Sequence, residues 1–97
     1  MVPFFSVIIP SFNSSHYISN TLGSLKQQTF KDFEVIVVDD FSNDYLQLSD
    51  IVDGFNVSLN IQLFWHTENR NGAAARNTGV DKASGLYLAF LDSDDVW

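Results

Sequence analysis

A chain of 97 residues that is 45% hydrophobic and 14% aromatic suits one compact domain with a core of modest size. Five Lys and Arg against twelve Asp and Glu give a formal net charge of -7, a field that repels phosphodiester backbones and acidic membranes and so excludes nucleic acid as an expected partner. The absence of cysteine removes disulfides, thiolate metal sites and cysteine nucleophiles, and residues 1–10 have neither a basic leader region nor the length of a membrane span, which leaves a cytoplasmic chain as the expectation.

Residues 4–9 form an apolar run rich in β-branched and aromatic side chains and are expected to be a strand. Ile18, Leu22 and Leu25 then recur at helical spacing, with Asn13 or Ser14 upstream as the expected N-cap. A second strand is expected at 33–38, a weaker helix near 46–55 and a third strand at 61–65. The polar segment 68–72 is a loop of ordinary length, and a third helix near 73–83 carries Ala75, Gly79 and Ala83 as a stripe of small residues suited to close packing. Gly85 is expected to stop that helix, before a fourth strand at 87–91.

Ser6, Glu34, Ile61 and Tyr87 mark the four strands at intervals of about 28, 27 and 26 residues, the length of successive strand-plus-helix units. Val35-Ile36-Val37-Val38 does not alternate with polar residues, which fits a strand covered on both faces. The fold class is therefore α/β: an open, mostly parallel sheet of about four strands with flanking helices. An unpaired edge of such a sheet invites pairing, so a dimer through it is one expectation.

Ligands of open parallel sheets bind outside the carboxyl ends of the strands. In this sequence those positions hold Pro10-Ser11-Phe12-Asn13, Asp39-Asp40, His66 with Glu68, and Asp92-Ser93-Asp94-Asp95. Gathering so many carboxylates on one rim costs repulsion that a divalent cation relieves most directly, and an all-oxygen donor set selects Mg²⁺ or Mn²⁺. Such an ion retains coordination positions for phosphate oxygens, so metal and diphosphate arrive together.

Each feature also has a bland reading. Asp92-Ser93-Asp94-Asp95 alone reads more readily as a solvated turn, and Asp39-Asp40 reads equally as a strand end that caps the next helix. Phe12 reads as a loop-edge residue or as a ring stacked on a planar base, and Arg76 as a structural ion pair or a phosphate contact. His66 could be a base, although a lone His after a strand is more often structural, and Trp65 and Trp97 are expected to fill core or interface space. No glycine follows the first strand, which excludes a G-x-G-x-x-G turn and a phosphate-binding P-loop there. A phospho-receiver domain needs a Lys beyond its acidic edge, yet Lys82, the only Lys after the second strand, falls in an expected helix.

Taken together, these residues resemble family 2 glycosyltransferases of the GT-A fold over essentially the whole chain. The opening block is Ser6-Val7-Ile8-Ile9-Pro10-Ser11-Phe12-Asn13, in which the family more usually has Tyr at the aromatic position. Gln28-Thr29-Phe30 and the run from Asp32 to Ser42 match the second block, where the family often has Gly or Asn in place of Phe41. Asn69 with the run from Gly72 to Gly79, and the run from Gly85 to Trp97, match the third and fourth.

The resemblance implies the Rossmann-like nucleotide-binding half of the GT-A fold, with residues 1–97 as its N-terminal part, truncated after the D-x-D motif. It implies that Pro10, Phe12 and Asp40 contact the base of a nucleoside diphosphate sugar. Asp92 and Asp94 would be the D-x-D acids, Asp94 as the direct ligand of Mn²⁺ or Mg²⁺ and Asp92 toward ribose or a metal-bound water, while Arg76 would lie near the diphosphate or buttress the acids. The ion would act as a Lewis acid on the departing diphosphate oxygen. The implied reaction transfers a sugar, from a UDP-sugar first of all, to a saccharide, lipid or other acceptor with inversion, in cell-envelope polysaccharide synthesis by a parent that associates with the membrane. The catalytic base is expected beyond Trp97, so that the fragment is inactive alone; the alternative is a nucleotide-binding or scaffolding module of the same fold.

Overall fold

The computed structural model describes residues 2–97. The chain runs β1 (Phe5–Ser11), α1 (Ile18–Lys26), β2 (Phe33–Asp39), α2 (Tyr45–Phe55), β3 (Ile61–Trp65), α3 (Gly72–Lys82) and β4 (Tyr87–Phe90). All four strands are parallel, in the order β3-β2-β1-β4. The chain therefore steps outward from β1 to β3 and then returns to the other side of β1. Because crossovers between parallel strands are right-handed, this reversal puts α1 and α2 on one face and α3 on the other.

Core composition follows that division. Val7, Ile9, Val35, Val37 and Ile61 point to the α1/α2 face and pack with Ile18, Leu22, Leu25, Leu48 and Val52. Ile36 and Val38 point the opposite way and pack with Ala75 of α3. The period-2 alternation of a strand thus serves two cores at once, which is why β2 reads as unbroken hydrophobic sequence. On the α3 face, a Cβ at Gly79 would collide with Ile8 Cγ2, so the small-residue stripe lets the helix lie directly on β1.

Several local expectations are corrected. Strand β1 extends through Pro10 and Ser11, which pair with Val38 and Asp39 of β2. Pro10 is tolerated because its missing N–H faces the β4 side, where pairing has already ended at Ile8 with Phe90. Helix α1 is not capped by Asn13 or Ser14: it begins after Tyr17, without a side-chain cap bond. Asn13 is engaged elsewhere, its N–H donating to Ser42 Oγ at 2.8 Å and its Oδ1 accepting from Asn43 N at 3.1 Å, which ties the β1 loop to the β2 loop.

Gly85 does not stop α3. The helix ends at Lys82, where Ala83 turns extended with φ -71 and ψ 140. Gly85 is needed for approach: a Cβ there would lie 2.6 Å from both Ser6 N and Ser6 Oγ. Beside it, the buried Glu34 carboxylate accepts from Ser6 Oγ at 2.5 Å, Ser84 N at 2.7 Å and Ser84 Oγ at 2.9 Å. This knot joins β1, β2 and the α3–β4 connection at the end of the sheet where the strands begin. Trp65 and Trp97 are 58% and 48% exposed, so neither fills this core. Among the described residues, no helix is long and apolar enough to cross a membrane.

Candidate functional site

The direction change between β1 and β4 leaves a crevice at the carboxyl ends of the strands, the place where sheets of this kind bind ligands. A cleft of about 330 Å³ lies there, and its lining includes Pro10, Phe12, Asp40, Arg76, Asp92 and Asp94. The six residues to which the resemblance gave binding or metal roles therefore meet on one rim, although they are spread over more than eighty positions, whereas His66 and Glu68 are not part of the lining. A second recess, of about 530 Å³, adjoins it and shares Phe12, Asp40 and Gly72 while adding Asn69, Arg70 and Asn71.

The two acids that close β2 have separate tasks. Asp39 is buried and turned inward, its Oδ2 accepting from Ser42 N at 2.9 Å and its Oδ1 from Ser42 Oγ at 2.6 Å. It closes the loop after β2 rather than capping α2, whose N-cap residue is Asp44. Asp40 faces the cleft and accepts from His66 Nδ1 at 2.8 Å, Arg70 N at 2.8 Å and Asn71 N at 2.9 Å. Burial alone raises the Asp40 pKa, but the hydrogen bonds from His66, Arg70 and Asn71 outweigh it and hold the carboxyl below its ordinary value of 3.8.

Phe41 follows in the left-handed region, with φ 61. Gly or Asn reaches that conformation more freely than a bulky side chain does, so the loop shape is kept and the ring is carried at some strain. Phe12 stands 53% exposed at the mouth of the cleft, a ring open to stacking.

Opposite lies the acidic turn. Asp92, Asp94 and Asp95 are exposed, and each offers a carboxylate oxygen within 4.8 Å of the others. An all-carboxylate, solvent-facing set with that spacing fits a hard divalent cation that keeps water and phosphate ligands. Arg76 Nη2 is 3.6 Å from Asp92 Oδ1, so the guanidinium borders the acids and lines the cleft as well.

Three supporting residues were not singled out from sequence. Thr21 of α1, fully buried, places its hydroxyl 2.8 Å from the Ser93 carbonyl and 2.6 Å from that of Asp95. Asn71, with φ 85, caps α3 by accepting from Ala74 N at 2.9 Å while its own N–H serves Asp40. Thr78 meets His66 Nε2 at 2.8 Å. Only Asn71 carries a local signal, as a capping residue type three positions before the N–H that it binds; the other two depend on tertiary contacts.

Comparison with known proteins decides the family. The model described as glycosyl transferase family 2 matches residues 6–97. The chain belongs to that family. This family 2 chain is 47% identical over 94 residues to the amylovoran biosynthesis glycosyltransferase AmsB of Erwinia amylovora, a match that covers 96% of the chain and 31% of AmsB. Among solved structures it is similar to residues 1–349 of S. aureus TarS in complex with UDP-GlcNAc, with TM-score 0.88, 41% identity and coverage of 95% of this chain and 27% of that one. It is also similar to the mannosyltransferase PcManGT of Pyrobaculum calidifontis in complex with GDP-Man and Mn²⁺, with TM-score 0.84, 29% identity and coverage of 100% and 29%. The family 2 chain thus spans well under half the length of the relatives that it matches. Its sheet is the GT-A fold of those transferases, represented in part.

Proposed function

We infer that this chain is the donor-binding part of a sugar transferase that takes a nucleoside diphosphate sugar, UDP-linked first of all, and delivers the sugar to a saccharide or lipid acceptor in cell-envelope polysaccharide synthesis. One observation carries the reading: Asp40 and the Asp92/Asp94 pair, 52 and 54 positions apart in sequence, line the same cleft together with Phe12 and Arg76. UDP-GlcNAc and GDP-Man with Mn²⁺, the ligands named for the two similar structures, support it.

In this reading Phe12 stacks on the base, Pro10 lines its pocket, and Asp40 accepts a hydrogen bond from it. Asp94 holds Mg²⁺ or Mn²⁺ directly, and Asp92 reaches the ribose or a water on the ion. Arg76 neutralises charge beside the diphosphate. When bound, the ion supplies Lewis-acid stabilisation of the leaving diphosphate.

The carboxylates that line the cleft are read as donor-side groups, and the transfer is assigned an inverting course in which a carboxylate base activates the acceptor.

The test is a titration of the isotopically labelled chain with UDP, with and without Mg²⁺, followed by amide NMR. UDP should perturb the Phe12, Asp40, Asn71 and Ser93 amides strongly only when Mg²⁺ is present, and Asp94→Ala should weaken binding about tenfold or more. Binding that ignores both Mg²⁺ and Asp94, or no binding at all, contradicts the assignment.

A further inference from the structure

On the sheet face that α2 covers, a separate cavity of about 300 Å³ has Asp39, Phe41, Ser42, Tyr45, Trp65 and Thr67 in its lining. It shares no residue with the cleft or with the recess beside the cleft. Asp39 and Trp65 are register partners at the ends of β2 and β3, so their side chains leave the sheet on the same face as Val37. Tyr45, the first residue of α2, brings its ring to 5.5 Å from that of Trp65 at an interplanar angle of 52°. Two rings at that angle make a corner rather than a stack. Phe41 adds a third ring from the β2–α2 loop, held at φ 61, where a bulky side chain is carried at a cost. Phe41 and Trp65 are both more than half exposed, so core packing accounts for neither ring.

Charge selects the occupant. The buried Asp39 carboxylate accepts only from uncharged donors: Ser42 N, Ser42 Oγ and, at 3.4 Å, Ser11 Oγ. Among the described residues no Lys or Arg pairs with Asp39, and none lines the cavity. His66 also borders it, but both ring nitrogens are engaged, with Asp40 and Thr78. Burial first, and then the charges of Asp39 and Asp53, raise the Tyr45 hydroxyl above its ordinary 10.0 against a hydrogen bond with Ser49, the response of a phenol in a negative field. Phosphate and carboxylate groups are repelled from such a place. A cation is attracted by Asp39 and by the electron-rich ring faces together. A primary ammonium would bring three N–H groups in need of acceptors, whereas the Asp39 oxygens are buried and engaged; a quaternary ammonium has none to satisfy.

We propose that Phe41, Tyr45 and Trp65, set over the Asp39 carboxylate, form a binding site for a small quaternary ammonium compound that carries no phosphate. The site is independent of the nucleotide reading of the cleft.

The labelled chain is titrated with choline, with the uncharged alcohol in which carbon replaces the nitrogen of choline, and with phosphocholine, followed by amide and indole N–H signals. Choline should shift the Trp65 indole and the Phe41 and Thr67 amides, leave the Asp92–Asp95 turn unmoved, and bind about fivefold or more tighter than the alcohol. Phosphocholine should bind more weakly than choline. Trp65→Leu keeps an apolar side chain and removes a ring face, so choline should weaken by about fivefold while the alcohol stays within about twofold. Phe41→Gly, which releases the left-handed strain, should fold at least as stably and lose choline affinity by a similar factor, about fivefold. Absence of choline binding, equal binding of the alcohol, tighter binding of phosphocholine, shifts confined to the Asp92–Asp95 turn, or undiminished choline affinity in both folded variants would each overturn the site.

Discussion

Thr21 Oγ1, buried in the middle of α1, lies 2.6 Å from the carbonyl oxygen of Asp95, a residue 74 positions later. The same oxygen is 2.8 Å from the Ser93 carbonyl, so its single proton serves one backbone acceptor at a time. The acidic turn, further closed by Asp95 N donating to Asp92 O at 3.0 Å, is thereby anchored to a helix in the hydrophobic core. Mutually repelling carboxylates held in this way need not be gathered by the ion itself.

Thr21→Val retains the shape of the side chain and deletes the proton. The variant should lose about 1 kcal/mol of stability, because a part-buried hydrogen bond is removed. It should also bind Mg²⁺ more weakly, by about threefold to tenfold, since the turn must then be ordered at the moment of binding. Chemical denaturation and an Mg²⁺ titration read the two effects separately. Unchanged Mg²⁺ affinity with lowered stability would show the anchor to be purely structural.

Gly79 and Ile8 define how closely α3 can approach the sheet, since a Cβ at position 79 collides with the Ile8 side chain. Gly79→Ala gains helix propensity of about 1 kcal/mol but overpacks the interface, at a cost of about 1–3 kcal/mol. The overlap with a fully buried neighbour decides the sign, so the variant should be net destabilised. In an Ile8→Ala background, which lacks the Cγ2 that the new Cβ meets, Gly79→Ala should cost less than in the parent chain if the clash is its cause. Thermal melts of the single and double variants provide the check.

Much of this architecture is legible in sequence because strand spacing and the two periodicities record which face is buried. The four strands and three helices fall within one to two residues of expectation at most ends, and Pro10, Phe12, Asp40, Asp92 and Asp94 in the cleft follow from the rule about strand carboxyl ends. Long-range polar contacts are what sequence does not show. Asn13 looks like a cap and is diverted to Ser42 and Asn43, Gly85 looks like a helix stop and is a close-approach residue, and Glu34 sits in a hydrophobic strand without any sign of the serines that satisfy it. Pattern reading sees neighbours three, four or two residues apart, whereas these partners lie 28 to 79 positions away.

Glu34 governs acid stability. Burial raises its pKa, but hydrogen bonds from Ser6, Ser84 and Gly85 prevail and hold it below the ordinary 4.5, and Asp40 is likewise lowered from 3.8. A group with a depressed folded pKa contributes stability above its unfolded value and loses that contribution as pH falls through its folded value. Stability should therefore be level near neutrality with respect to these two groups, begin to decline below about pH 4.5, and keep declining until both carboxyls are protonated in the folded state. Glu34→Gln should lower stability at pH 7 by about 1–2 kcal/mol and flatten the acid limb, because its amide does not titrate. Urea unfolding across pH 3 to 7 tests this, and an acid limb as steep in the variant as in the parent chain would assign the loss to other carboxylates.

Arg76 separates structural pairing from ligand recognition. Its guanidinium is 3.6 Å from Asp92, but the two side chains are 45% and 61% exposed. Water screens such a pair, so its removal should cost no more than about 1 kcal/mol of stability. A diphosphate in the cleft changes the balance, because charge-assisted hydrogen bonds to phosphate gain strength as water is displaced. Arg76→Ala should therefore fold almost as stably as the parent chain while weakening UDP binding in Mg²⁺ by about tenfold or more. Arg76→Lys should recover only part of that, since a point charge cannot reproduce the planar fork. Mg²⁺ alone should bind the Ala variant at least as tightly, because a positive charge has left the neighbourhood of the acids. A large stability loss with unaltered nucleotide affinity would reverse the assignment and make the pair a structural one.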